Sequence, residues 1–226
     1  MNAQLYRNAY NAIKKNYADM KDAKHPEGRK PVIVQANLRL EAALSTTQVF
    51  SFYTQKGQGA SAPFNTETRL DINDGFTVVE MGLFVCKPSS STASNYKLYS
   101  YPNAAVFSTS NTASSLDGLY NNGVLNISKQ QVIYIQNWDL LKHRKVQVWQ
   151  EGLTTGYTTS GATAPNGLDS FDGGLDTFQP VTPYISFTGR DNMNITVSTP
   201  GALAAVETNS RLVLMMRGFI AFNVAR

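Results

Sequence analysis

One cysteine, Cys86, stands in 226 residues. No internal disulfide framework can therefore hold this chain, and synthesis in a reducing compartment is the matching expectation. Cys86 sits in an apolar run and reads as core filler rather than as a nucleophile. Long hydrophobic stretches are missing too: no 18 consecutive apolar residues occur, and the first residues carry no hydrophobic leader. A membrane span is not expected, and a soluble, unprocessed protein is. Histidine is scarce, with only His25 and His143, and neither has Cys, His or carboxylate neighbours at metal-ligand spacing. There is no G-x-S-x-G, no phosphate loop and no dinucleotide fingerprint. Carboxylate pairs of the glycosidase kind meet only in a fold and leave no spacing to read. The expectation is a protein that is not an enzyme and that has no cofactor and no metal.

Charge is sparse and unevenly placed. Only 16% of residues are charged, whereas Ser, Thr, Asn and Gln total 68. Such a surface is polar without being ionic, as in loop-rich β proteins that meet neighbours over wide areas. Residues 1–30 hold seven Lys or Arg against three acidic residues, and the other 196 residues hold thirteen of each sign. The whole excess of +4 lies in the N-terminal segment.

That segment reads as a helical arm, residues 1–30, ahead of a domain over 31–226. Leu5, Tyr6, Ala9, Tyr10, Ile13, Tyr17 and Met20 recur at steps of three and four, which puts them on one stripe of a helix. Pro26 and Gly28 predict its end near Lys24. The stripe fits either its own domain or a neighbouring subunit, and the basic face could also meet nucleic acid or a membrane surface. A neighbouring subunit is the reading adopted, with Leu5, Ala9, Ile13, Tyr17 and Met20 as the contact. On that reading the body folds without the arm.

From Val32 the period changes to two. Val32, Val34, Ala36, Leu38 and Leu40 alternate with Gln35, Asn37, Arg39 and Glu41. Further strands are predicted at Thr47–Tyr53, Phe76–Cys86, Tyr96–Tyr101, Gln130–Asn137, Arg144–Gln150, Tyr184–Phe187, Asn194–Ser198 and Arg211–Ala225, with no second helix. About nine strands joined by long connections predict an all-β fold, an antiparallel two-sheet sandwich of the jelly-roll kind. Its long first and last strands would lie side by side. Leu212, Leu214, Phe219 and Phe222 would face the core or a subunit contact, with a bulge at Gly218 shifting the phase.

Two acidic stretches invite a metal reading. In DINDG, Asp71 to Gly75, a calcium loop counted from Asp71 would need glutamate at its twelfth position, which is Gly82. Asn-Asp-Gly tolerates positive φ, so the stretch reads as a turn between strands. GLDSFDGGLDTF, Gly167 to Phe178, offers Asp169, Asp172 and Asp176, but two copies are too few for a β-roll. Leu168, Phe171, Leu175 and Phe178 more naturally pin a long loop. The cluster Lys142-His-Arg-Lys145 between Trp138 and Trp149 suggests base or sugar stacking. Its plainer reading is a solvated turn between two core tryptophans. Asn126-Ile-Ser and Asn194-Ile-Thr match the glycosylation pattern.

RLDINDGFTVVEMGLFV near the first third and the closing RLVLMMRGFIAFNVA, in a chain rich in Ser, Thr and Asn, resemble structural proteins of bacterial virus particles. The resemblance covers residues 32–226 in segment order and style. It implies a β-sandwich capsid, auxiliary capsid or decoration subunit, made in the host cytoplasm and located in the virion. Its partners would be further copies of itself and other virion proteins. At this size a minor or auxiliary role fits better than a double-jelly-roll coat. The rival reading is a carbohydrate- or receptor-binding module of a viral fibre, using aromatics in loops 96–120 and 154–183.

Overall fold

The alternation that begins at Val32 does build a strand, and its continuation builds two sheets. The structure, a computed structural model, describes residues 3–17, 20–22, 25–29, 32–59, 64–103, 106–107, 112–145 and 177–224. In chain order the elements are α1 (Ala3–Tyr17), β1 (Met20–Asp22), β2 (His25–Arg29), β3 (Val32–Ala43), β4 (Val49–Phe52) and β5 (Gly75–Cys86). Then come α2 (Thr112–Asn122), β6 (Val124–Lys129), β7 (Val132–Asp139), a 3-10 turn (Leu140–His143), β8 (Gln179–Thr188), β9 (Met193–Ser198) and β10 (Arg211–Phe222). The fold is mostly β.

One four-stranded sheet has the order β3-β10-β5-β8, and the other β4-β9-β6-β7, all antiparallel. The pairs are nested. β6 meets β7, β5 meets β8, β4 meets β9, and β3 meets β10 over twelve residues without a break in register. The first and last long strands thus lie side by side, as expected from their length. Between the sheets is one core, with Leu38, Leu40, Val78, Leu83 and Leu214 from the first sheet facing Phe50, Phe52, Leu125, Ile127 and Val197 from the second.

All twelve residues of β5 are buried, so its other face must also be covered. A strand buried on both faces loses its alternation, as in sheets with layers on either side. The phase of β5 changes midway. Phe76 and Val78 face the core, and so do Met81, Leu83 and Val85, while Val79 and Glu80 both turn outward. The register of β5 against β10 slips at this point, where Arg217 pairs with Glu80 but Gly218 with Val78.

The bulge predicted at Gly218 is therefore in the partner strand, and β10 keeps its phase. Gly218 permits the slip because a Cβ there would lie 1.8 Å from the Thr77 carbonyl oxygen. As a result Leu212 and Leu214 face the core, Phe219 points to the outer face, and Phe222 is 39% exposed.

Four expectations need correction. The helix ends at Tyr17 rather than Lys24, and Met20 opens a two-stranded ribbon, β1–β2, in which Pro26 and Gly28 are strand residues. A second helix exists: α2 buries Leu116, Leu119 and Tyr120 at helical spacing, although Ser, Gly and Asn around them dilute the signal. β6, Val124–Lys129, is a strand ahead of the one expected at Gln130–Asn137, which itself runs Val132–Asp139. Tyr96–Tyr101 is not a strand, since only Tyr99 bridges, to Val85. Of the strand predicted at Arg144–Gln150, Arg144 and Lys145 follow the 3-10 turn, and the rest lies outside the described residues.

Candidate assembly surfaces

The outer face of the β3-β10-β5-β8 sheet is closed by the chain itself, by α1 at one end and by loops at the other. Ala9 is fully buried with Tyr6 over Val79, the residue that the bulge turns outward. Ile13 is buried with Ala221 and Val224. Phe219 stands between the two groups, with the rings of Tyr6 and Tyr10 edge-on to it at 5.9 and 5.7 Å.

Polar bonds fix the helix as well. The Tyr6 hydroxyl donates to Glu80 Oε2 at 3.1 Å, and the Tyr184 hydroxyl donates to the Leu5 carbonyl at 3.0 Å. Burial, reinforced by the Glu80 carboxylate, pushes the Tyr6 phenol up to about 12. A helix of fifteen residues is marginal alone. Docking onto the sheet supplies what it lacks.

The expectation of a detached arm is corrected here. The five stripe residues do not form one free surface: Ala9 and Ile13 are covered by this chain's own sheet, and Leu5 is half-buried. Tyr17 is the last helical residue, and Met20 is the first of β1. What α1 presents outward is basic, with Arg7, Lys14 and Lys15 all exposed.

At the other end Arg211 is 1% exposed, an unusual place for a guanidinium. Its Nη1 donates to Glu41 Oε2 at 2.9 Å, and its Nη2 donates to the Ser91 carbonyl at 2.6 Å. The guanidinium also lies 4.0 Å from the Phe64 ring centroid. Arg39 Nε donates to Glu41 Oε1 at 2.7 Å, and Thr66 and Tyr96 add hydroxyls to the same carboxylate. Burial opposes ionisation of Glu41, but the bonds from Thr66 and Arg211, the Arg39 charge and the Tyr96 bond hold its carboxyl below the usual range. Segments 64–70 and 89–99 are thereby tied to the sheet. Nothing in the sequence marks Arg211 and Glu41 as interior, and this cluster was not anticipated.

Among the described residues the outer face of the second sheet is exposed or half-exposed and nearly free of charge. Its cross-strand rows are Val49, Ser198, Val124 and Asp139, then Ser51, Thr196 and Asn126, then Asn194, Ser128 and Ile133. Asp139 stands at the margin and accepts from the Leu141 amide. Both glycosylation-type asparagines, Asn126 and Asn194, lie on this face, with Asn126 Oδ1 accepting from the Asn137 amide. An interface on this face would leave few charges to bury, and its Ser, Thr and Asn side chains would have to find hydrogen-bond partners across it.

The other candidates resolve as follows. DINDG turns from Asp71 to Gly75: the Asp74 amide donates to the Asp71 carbonyl, Lys56 pairs with Asp71 at 3.4 Å, and Asp74 Oδ1 accepts from the Asn223 amide. Its φ values are not positive, so the turn rests on these bonds and not on left-handed backbone. Among the described residues no three His, Cys, Asp or Glu side chains group as a metal site. Asp169, Asp172, Asp176, Leu168, Phe171, Leu175 and Trp149 lie outside the described residues, and Phe178 packs on Phe84. Cys86 is buried, and burial pushes its thiol up to about 12.

The turn Lys142–Lys145 is not wholly solvated. His143 is completely buried, with Nε2 accepting from Trp138 Nε1–H at 3.1 Å and Nδ1 3.3 Å from the Thr177 carbonyl. Burial drives its imidazole down to about 4. Arg144 pairs with Asp117 of α2.

Of the aromatics in loop 96–120 proposed for sugar stacking, Tyr99, Tyr101, Phe107 and Tyr120 are buried, and Tyr96 belongs to the Arg211 cluster. No described helix is long and apolar enough to cross a membrane. Set against family models, curated proteins and solved structures, the chain matches none.

Proposed function

We propose that this chain is a jelly-roll structural subunit of a bacterial virus particle, a capsid or auxiliary capsid protein whose partners are further copies and other virion proteins. The observation that carries this reading is the nesting of four antiparallel pairs into two four-stranded sheets, which is how a jelly roll is wound. The two segments that resemble virion proteins supply β5 and β10, which are adjacent in one sheet. One broad face is closed by the chain's own helix and loops. The other is exposed or half-exposed among the described residues and carries little charge, so an assembling subunit has a surface to spend on neighbours.

The experiment is expression of the full chain, followed by size-exclusion chromatography, negative-stain electron microscopy and a glycan array. Regular oligomers or closed shells of uniform size are expected. A monodisperse single chain with specific, saturable sugar binding would replace this reading with a receptor-binding module. The outward Arg7, Lys14 and Lys15 favour nucleic acid as an additional partner. Such binding would weaken steeply with salt, whereas contacts between subunits would depend on salt only mildly.

A further inference from the structure

A sheet sandwich has four edges, and each is a template for another strand unless something blunts it. In this chain β4 is only four residues long. β7 is broken by two register shifts against its neighbour. β8 carries Pro180 and Pro183, which remove donors, and its register also slips. β3 is different: it holds one register for twelve residues, with no proline.

Half of the β3 edge is already occupied. The Thr68 amide donates to the Arg39 carbonyl, the Arg39 amide donates to Thr68 Oγ1, and the Glu41 amide donates to Glu67 Oε1. These bonds establish that the odd residues of β3 face outward from the sheet. Ile33, Gln35 and Asn37 therefore turn their N–H and C=O groups to the free edge, where no described residue pairs with them. The stretch is VIVQAN, Val32 to Asn37, with no lysine, glutamate or proline to discourage pairing. Val32 and Val34 are 62% and 42% exposed, although their side chains lie on the inward face of the sheet. Beside them Phe222, paired with Val32, is exposed as well.

We propose that this free edge is the interface between two copies of the chain, joined by antiparallel β3–β3 pairing about a two-fold axis at Gln35. The occupant is a second copy because the segment is complementary to itself. With Gln35 opposite its own mate, Ile33 meets Asn37, Val34 meets Ala36 and Val32 meets Leu38. The outward-facing odd residues exchange their hydrogen bonds, and the exposed valines gain apolar neighbours across the seam. An isologous contact of this kind closes at two subunits. The pairing ends at Leu38, where Thr68 takes over the edge. No charge lies in the stretch itself, but Ile13 of α1 shares a cluster with Ile33, and the neighbouring Lys14 and Lys15 are exposed, so the pairing is expected to tighten as salt screens them. The two β3-β10-β5-β8 sheets become one sheet of eight strands. The inference does not depend on the viral reading.

The test combines light scattering on the full chain with amide hydrogen exchange. The mass is expected to rise from one chain to two with concentration, and the Ile33, Gln35 and Asn37 amides to become protected over the same range. Gln35→Pro removes a donor that β10 does not use, and Val34→Lys places a charge at the seam. Each is expected to give a single chain whose melting temperature matches that of the wild type at concentrations where it too is a single chain. Val132→Lys on the β7 edge is expected to leave the dimer intact. The proposal is overturned if the three amides exchange freely at every concentration, if the Val34→Lys chain still dimerises, or if Val132→Lys abolishes the dimer. Assembly into larger particles with those amides unprotected would also overturn it, while leaving the proposed function standing.

Discussion

Replacing Glu41 by glutamine keeps the shape of the side chain and one acceptor for Thr66, but removes the charge between Arg39 and Arg211. Arg39 is 21% exposed at its side chain and can turn to water, whereas Arg211 is 1% exposed and cannot. Among the described residues Glu41 is the one carboxylate within ion-pair distance of Arg211. Removing one partner of a buried pair leaves an uncompensated charge and costs about 3–5 kcal/mol. That is a large fraction of the roughly 5–15 kcal/mol that holds a domain folded. At roughly 2–4 °C per kcal/mol for a chain of this size, E41Q should melt about 6–20 °C below the wild type.

Urea unfolding followed by tryptophan fluorescence, with circular dichroism on heating, measures the loss. The double variant Glu41→Met, Arg211→Met should recover most of it, because apolar residues of similar volume can replace a buried pair without loss. The pH dependence has a definite sign. The folded pKa of Glu41 is lowered, so its stabilising contribution is present above the ordinary glutamate value of about 4.3 and is lost as pH falls through the folded value. E41Q should lack this acid-dependent part. If E41Q unfolds within about 1 kcal/mol of the wild type, the cluster is worth no more than an exposed ion pair, and the reasoning fails.

Gly218→Ala should cost about 1–3 kcal/mol or more, since its Cβ would press on the Thr77 carbonyl oxygen and force the bulge to move; thermal melting checks this. Ile13→Ala should lose about 2–5 kcal/mol of helix docking, seen as faster amide exchange in α1 and new dye binding at Val79, whereas Lys14→Ala should change neither. His143 is held neutral with its pKa lowered to about 4, so the unfolded chain binds its proton first as pH falls. Stability is therefore expected to drop by on the order of 3 kcal/mol between pH 6.5 and 4, and His143→Gln to flatten that slope in urea titrations.

The helix stripe and the long strands were legible because each is a local pattern. The alternation of β3 places Ala36, Leu38 and Leu40 on the core, and Ala9 and Ile13 recur at helical spacing since one face of α1 is dry. What covers that dry face is not local. A stripe reads the same whether its partner is a neighbour or a sheet strand seventy residues on, and only folding brings Val79 beneath Ala9. The bulge that turns Val79 outward left no trace, because β5 is buried on both faces and either phase is equally apolar. Arg211 and Glu41 look like surface residues by type. Their interior position depends on segments 64–70 and 89–99 closing over them, a cooperation between distant parts of the chain that composition and period cannot encode. The sequence by itself determined the long strands β3, β5 and β10 and the apolar face of α1. Tertiary structure alone decided what each face meets, because burial is a property of pairs of surfaces and not of single segments.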